Sequence, residues 1–206
     1  MRKILVIGSG KSTSYLIKYL LDKSNSEKLH ITIADIHIEN AKKHIGNHEN
    51  ACTLVLDIFN ETSRKKAIRE ADIVVSMLPA RFHIEVAKDC ILFGKHMVTA
   101  SYVSNEMEAL NAAAIKKGVV LMNEIGVDPG IDHMSAMLVL DRIRDNGGNI
   151  ILFESFTGGL IAPESDNNLW NYKFTWNPRN VVTAGQGGTA KFLQEGTYKY
   201  IPYNRL

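Results

Sequence analysis

Lys3-Ile4-Leu5-Val6-Ile7-Gly8-Ser9-Gly10-Lys11-Ser12-Thr13 joins a run of branched apolar residues to a glycine turn, and a helical pattern through Tyr15, Leu16, Tyr19 and Leu20 follows. Strand, glycine turn and helix in that order are what a dinucleotide-binding unit requires. Gly8 permits the tight turn, and Gly10 lets the backbone of Ser9-Gly10-Lys11 approach a pyrophosphate whose charge the helix N-terminus favours. Thr13 stands where a third glycine or alanine is usual, and a glycine turn without a ligand is the competing reading. Gly10-Lys11-Ser12 copies the end of a triphosphatase P-loop, but that motif needs a glycine where Leu5 lies in mid-strand. The triphosphatase reading is rejected.

Working outward, residues 31–35 alternate as a second strand that ends on Asp35. The carboxylate lies about 20 residues beyond the glycines, where it would accept hydrogen bonds from a ribose and repel a 2'-phosphate. Asp35 therefore favours NAD over NADP; the alternative is that it caps a helix starting near Glu39. Further strands are expected at 53–56, 73–78, 96–100 and 119–122, and helices at 62–71, 82–93 and 105–117, the last capped by Ser104 or Asn105. Six strands alternating with helices predict an α/β fold, a Rossmann-type doubly wound parallel sheet. Ligands of such sheets bind beyond the carboxyl ends of the strands. That rule selects Gly8, Asp35, Asp57, Leu78, Pro79, Ala100, Ser101, Tyr102 and residues 124–128.

The sixth strand runs into Asn123-Glu124-Ile125-Gly126-Val127-Asp128-Pro129-Gly130-Ile131-Asp132-His133, an acidic turn followed by a helix over 131–144. Asp128 either serves the site or closes the turn before Pro129. Met134, Met137, Leu138 and Ile143 share one face of the helix and are expected to fill a core, and His133 reads as structural. A strand is expected at 149–156, a weak helix at 178–195 despite Gly185, Gly187 and Gly188, and a strand at 198–203. The division predicted is 1–130 for the dinucleotide-binding domain and 131–206 for the start of an α+β substrate domain. So small a second domain buries too little surface to stand alone, which predicts a fragment or dependence on a partner.

The 206 residues are 45% hydrophobic and 22% charged with a net charge of +2, enough for a sizeable core in a soluble protein. The densest basic run is Arg64-Lys65-Lys66, read as a solvated helix face, so no nucleic-acid or membrane partner is expected. The apolar run after Met1-Arg2-Lys3 is too short for a signal peptide, and no stretch approaches the roughly 20 apolar residues of a membrane span. Cys52 and Cys90 lie far apart without metal-ligand neighbours, which predicts reduced thiols, no metal centre and a cytoplasmic setting.

Residues 123–133, Gly158-Gly159-Leu160-Ile161-Ala162-Pro163-Glu164, Tyr172-Lys173-Phe174-Thr175-Trp176 and Val98-Thr99-Ala100-Ser101-Tyr102 together resemble the glutamate-forming saccharopine dehydrogenases, also called saccharopine reductases. The resemblance implies an oxidoreductase that interconverts saccharopine with glutamate and 2-aminoadipate 6-semialdehyde in lysine metabolism, in a family of longer chains. It implies cofactor contacts at Gly8, Ser9, Gly10, Lys11, Asp35, Ile36, Asp57, Ile58, Leu78, Ala100, Ser101, Val127, Asp128, Pro129 and Asn177. Substrate contacts would fall on Ser101, Tyr102 and Asp128, with Tyr102 and Asp128 handling protons. The chain departs from the family in three places: Asp35-Ile36 replaces a basic residue of the fungal relatives, Thr157 a cysteine before the double glycine, and Ile161 a proline. The expected partner is a small amino-acid substrate, with a homodimer as the candidate assembly. Two other readings stand beside this one: a related dehydrogenase acting on another amino-acid imine adduct, and a dinucleotide-binding module without turnover.

Overall fold

The computed structural model describes residues 1–156, 158–159, 161–175, 178–183, 189–202 and 205. The chain forms two compact units, Met1–Phe153 and Glu154–Leu206.

In the first unit six strands alternate with helices: β1 (Arg2–Ile7), α1 (Ser14–Lys23), β2 (Leu29–Asp35), α2 (Glu39–Ile45), β3 (Ala51–Val55), α3 (Glu61–Glu70), β4 (Ile73–Ser76), α4 (His83–Phe93), β5 (His96–Thr99), α5 (Asn105–Glu108), α6 (Asn111–Lys117) and β6 (Leu121–Met122). They pair in parallel in the order β3-β2-β1-β4-β5-β6. The order reverses between β1 and β4, and in open sheets of this kind a crevice for ligands forms at that reversal. The α/β doubly wound sheet read from the strand pattern is the fold found, with strand ends within about two residues of the expected ones, the usual uncertainty of such boundaries.

Successive residues of a strand point to opposite faces, and β1 uses both. Leu5 and Ile7 join Ile68, Val74, Val86 and Met97 in one core, while Ile4 and Val6 join Ile17, Leu21, Ile31 and Ile33 in the other. Helices cover both faces, so the strands read as near-continuous apolar runs.

Several local expectations are corrected. The alanine-rich stretch is two short helices, α5 and α6, with Ala109 and Leu110 in a turn between them. Ser104 is the cap, accepting a hydrogen bond from the Met107 amide at 3.2 Å. Arg64 is buried, and its Nε lies 2.7 Å from the buried carboxylate of Asp89, so the basic run is not a wholly solvated face. The long helix α7 (Ile131–Asp145) forms where expected but has no buried residue; Met134, Met137, Leu138 and Ile143 are exposed rather than core. Residues 149–156 are not a strand. The alternating pattern is present, but among the described residues no neighbouring strand supplies a ladder, and Ile151 is 98% exposed.

In the second unit a helix, α8, is described at Pro178–Thr183, and within the range expected to be helical Ala190–Gln194 is instead a strand, β7, paired antiparallel with β8 (Thr197–Ile201). Glu195 and Gly196 turn the hairpin with φ of 53° and 73°, the positive pair that two-residue hairpin loops favour. The double-glycine and aromatic motifs meet: a Cβ on Gly159 would lie 2.9 Å from the Tyr172 ring, which packs edge-on against Phe174. Thr157, Asn177, Gly185, Gly187, Gly188 and Tyr203 lie outside the described residues.

Candidate active site

The glycine turn leaves β1 at the reversal point. Gly8 has φ 106° and its amide donates to the Ala34 carbonyl at 2.8 Å; a Cβ there would sit 2.8 Å from the Met77 carbonyl oxygen after β4. Only glycine fits this position. A Cβ on Gly10 would meet nothing within 4 Å, so the space beside it is open. Lys11–Thr13 form a short 3-10 turn before α1, and Thr13 is buried. The third motif position therefore carries a packed side chain instead of a glycine.

Asp35 faces this turn. Its Oδ2 accepts from the Ser9 amide at 2.7 Å and the Ser9 hydroxyl at 2.8 Å, and its Oδ1 from the His37 amide at 3.0 Å. Burial raises the Asp35 pKa, but these hydrogen bonds and one from the Ile36 backbone outweigh it, and the net shift is downward. The carboxylate is charged at neutral pH and locks the glycine turn to the end of β2. It does not cap α2, whose cap position is Ile38. Ile36 is exposed beside it.

Past β3, Asp57 Oδ1 accepts from the Phe59 amide at 2.9 Å, closing a turn. Ile58 packs on the core, and its carbonyl accepts from Arg64 at 2.7 Å. The Arg64–Asp89 pair thus holds this loop from beneath. Leu78, past β4, packs on the same core.

Past β5 and β6 two loops are tied together. The Glu124 amide donates to the Ser101 carbonyl at 3.1 Å, and Glu124 Oε1 accepts from the Val103 amide at 3.0 Å. Glu124 holds a left-handed φ of 60°, costly for a residue with a Cβ, and both ends of it are committed to the neighbouring loop. The Tyr102 hydroxyl donates to Asp128 Oδ1 at 2.8 Å. That bond to Asp128, then burial and the charges of Asp128, Asp132 and Glu124, raise the Tyr102 pKa. Tyr102 is held as a proton donor and Asp128 as its acceptor.

The acidic turn folds on itself: the Gly126 amide donates to the Pro129 carbonyl at 2.8 Å and the Ile131 amide to the Gly126 carbonyl at 3.0 Å. A Cβ on Gly130, at φ 154°, would come within 2.1 Å of the Gly126 oxygen, and one on Gly126 within 2.9 Å of Ala100 Cβ. These approaches aim Asp128 at Tyr102 and leave Val127 exposed over a buried Pro129. Asp128, Asp132 and His133 are close enough to share a metal ion, but each is engaged within the chain: Asp132 Oδ1 accepts from His133 Nδ1 at 2.7 Å and from the Gly130 amide at 2.9 Å. The bond that His133 donates to Asp132 raises the His133 pKa.

Sequence reading missed His83. It opens α4, 3% exposed, with Nδ1 2.8 Å from Ser76 Oγ and Nε2 2.8 Å from Ser101 Oγ and 3.2 Å from Thr99 Oγ1. Burial pushes its pKa down to about 4, so the imidazole is neutral at pH 7. Its neighbours come from positions 76, 99 and 101, and no local pattern announces them.

The family model for the saccharopine dehydrogenase NADP binding domain matches residues 4–122, and that for the saccharopine dehydrogenase C-terminal domain matches residues 126–206. The chain belongs to the saccharopine dehydrogenase family. It is 40% identical over 196 residues to a saccharopine dehydrogenase (NADP(+), L-glutamate-forming) of Schizosaccharomyces pombe, a match covering 95% of this chain and 43% of that protein. It is 37% identical over 185 residues to an alpha-aminoadipic semialdehyde synthase of Arabidopsis thaliana, covering 90% of this chain and 17% of the relative. The apo, histidine-tagged saccharopine dehydrogenase (L-Glu forming) of Saccharomyces cerevisiae superposes with a TM-score of 0.83 at 32% identity, covering all of this chain and 45% of that one. The chain thus spans less than half the length of these relatives. No helix among the described residues is long and apolar enough to cross a membrane.

Proposed function

We propose that the chain supplies the dinucleotide site and part of the substrate site of an oxidoreductase that interconverts saccharopine with glutamate and 2-aminoadipate 6-semialdehyde. The observation that carries the reading is the Tyr102–Asp128 hydrogen bond, made by loops at the carboxyl ends of β5 and β6, at the same edge of the sheet as the Gly8 turn. The open space at Gly10 and the missing Cβ at Gly8 suit a pyrophosphate approaching the backbone. We place the start of the substrate domain at Ile131, close to residue 126 where the C-terminal family model begins, although the first compact unit extends to Phe153 and includes α7.

The Gly8 turn would hold the dinucleotide, whose nicotinamide would supply the hydride acceptor for oxidation of the carbon next to the secondary amine, the nitrogen losing its proton to leave a neutral imine. The resulting imine must then be hydrolysed: water loses a proton as it adds, and nitrogen gains one as the C–N bond breaks. Tyr102 and Asp128 suit that exchange. Asp128 accepts a proton from the attacking water while Tyr102 donates its phenol proton to the nitrogen and is reprotonated from Asp128, giving a carbinolamine; a second turn of the same relay carries the carbinolamine hydroxyl proton to the nitrogen as the carbonyl forms and the C–N bond breaks. Ser101 lies beside the pair and contacts substrate or cofactor. Among the cofactor positions, the charge of Asp35 supports NAD; the family description and the fungal relatives' names carry NADP.

Titration with NADH and NADPH, followed by assay of saccharopine-dependent reduction of each oxidised dinucleotide and of glutamate release, tests the reading. Replacing Asp128 by Asn is expected to lower kcat by about a hundredfold. Failure to bind either dinucleotide, or turnover by the Asn variant at the wild-type rate, overturns the assignment. Dinucleotide binding without any glutamate release would instead favour the non-catalytic module.

A further inference from the structure

We propose that His83 is a positioning residue that fixes the Ser101 hydroxyl for ligand binding, through a line of hydrogen bonds from Ser76 via the imidazole to Ser101. The inference rests on the reading that Ser101 touches substrate or cofactor. Ser76 Oγ is fully buried at the end of β4, the imidazole spans the gap, and Ser101 stands half-buried just past β5. Both contacts are 2.8 Å, and the ring is also within 3.2 Å of the buried Thr99 hydroxyl, so three strand-end hydroxyls converge on one side chain.

A neutral imidazole donates at one nitrogen and accepts at the other. If Nδ1 accepts from Ser76, Nε2 donates to Ser101 and leaves the Ser101 proton free to point at a ligand acceptor. The other tautomer draws that proton inward and leaves Ser101 only lone pairs to offer. In both cases the buried end of the line determines what the exposed end presents. A histidine that merely satisfied buried hydroxyls would need no partner at the rim. The backbone of Ser101 is fixed as well, since its carbonyl accepts from the Glu124 amide, so the hydroxyl has little freedom except rotation about χ1.

Glutamine and asparagine separate the two nitrogens. His83→Gln puts an amide near the Nε2 position and can keep a hydrogen bond to Ser101, whereas His83→Asn reaches only the Nδ1 position and can keep the one to Ser76. Dissociation constants for NADH, NADPH and saccharopine are measured on the full chain by fluorescence titration, with thermal unfolding recorded for each variant. His83→Asn is expected to weaken the most Ser101-dependent of these ligands by about tenfold, and His83→Gln by no more than about threefold. Ser101→Ala should lose about as much as His83→Asn, and the double variant no more than either alone, because coupled residues do not add.

Equal effects of Gln and Asn, or none from either while Ser101→Ala weakens binding, would make His83 structural only and overturn the proposal while the site reading stands. No effect of Ser101→Ala on any ligand overturns the reading of Ser101 and this proposal with it. Should His83→Asn fail to fold, Ser76→Ala carries the test. It leaves the ring in place, and about a two- to threefold loss of affinity is expected where unchanged binding would refute the relay.

Discussion

Asp35 answers to two demands. It anchors Ser9 through both its amide and hydroxyl, and it puts a negative charge where a ribose would lie. A carboxylate has about four acceptor sites, and Ser9 and His37 take three, which leaves one that a ribose hydroxyl would use if Asp35 selects the cofactor. Ile36→Arg alone, which preserves the Ser9 bonds, should shift the ratio of NADPH to NADH affinity toward NADPH by about tenfold, and adding Asp35→Ala should carry it further at some cost in stability. Unchanged ratios in the titration would remove Asp35 from cofactor selection. His83 gives a second measurement at this scale. Its imidazole titrates near 6.5 when unfolded and at about 4 when buried, so between those values the unfolded chain binds more protons. Its contribution is fully present above pH 6.5 and is lost as pH falls through 4, a loss of about 3 kcal/mol. Urea unfolding at stepped pH should therefore show a steeper decline from 6.5 to 4 in the wild type than in His83→Gln; parallel curves would mean that the ring titrates alike in the folded and unfolded chain.

Helices α3 and α4 meet across the buried Arg64–Asp89 pair, side chains 8% and 6% exposed, and Arg64 also binds the Ile58 carbonyl. Removing Asp89 leaves the buried guanidinium only the half-exposed Glu85 carboxylate at 3.9 Å, so Asp89→Ala should cost about 3 kcal/mol in urea unfolding, the low end for a buried pair, and loosen the Asp57–Ile58 loop. A cost near that of an exposed ion pair, under about 1 kcal/mol, would show that water reaches the guanidinium. The pair also marks where sequence reading fails. Arg64-Lys65-Lys66 looks like a solvated run because burial of its first member is decided by Asp89, 25 residues away. The strands and the Gly8 turn were legible, since apolar runs and glycines are local signals. The placement of Tyr102 and Asp128 past the ends of β5 and β6 was legible too, since the strand-end rule needs only the strands. Their mutual hydrogen bond was not, because it depends on Gly126 and Gly130 letting the acidic turn close on Ala100. The pattern at 149–156 misled for the opposite reason: alternation records a capacity to pair, and a strand exists only where a partner does.

Every buried residue among those described precedes Ile131, so stability is concentrated in the parallel sheet. Beyond it α7 presents Ile131, Met134, Leu138 and Val139 to solvent, and the second unit has one hairpin, an aromatic pair and no buried side chain among the described residues. An isolated two-stranded hairpin is marginal in water, and local opening free energies follow buried contacts. Dilute protease should therefore cut first within the second unit and leave a resistant fragment ending near Phe153, identifiable by mass spectrometry. If the dinucleotide cleft belongs to the sheet, that fragment should keep the NADH and NADPH dissociation constants of the whole chain within about twofold, and dinucleotide at a hundred times its dissociation constant should add about 2.7 kcal/mol of stability to both. Equal protease resistance in the two units would place a core in the second that the described residues do not contain. A fragment that folds but binds neither dinucleotide would move the cofactor's main contacts out of the Gly8 turn and into residues 154–206.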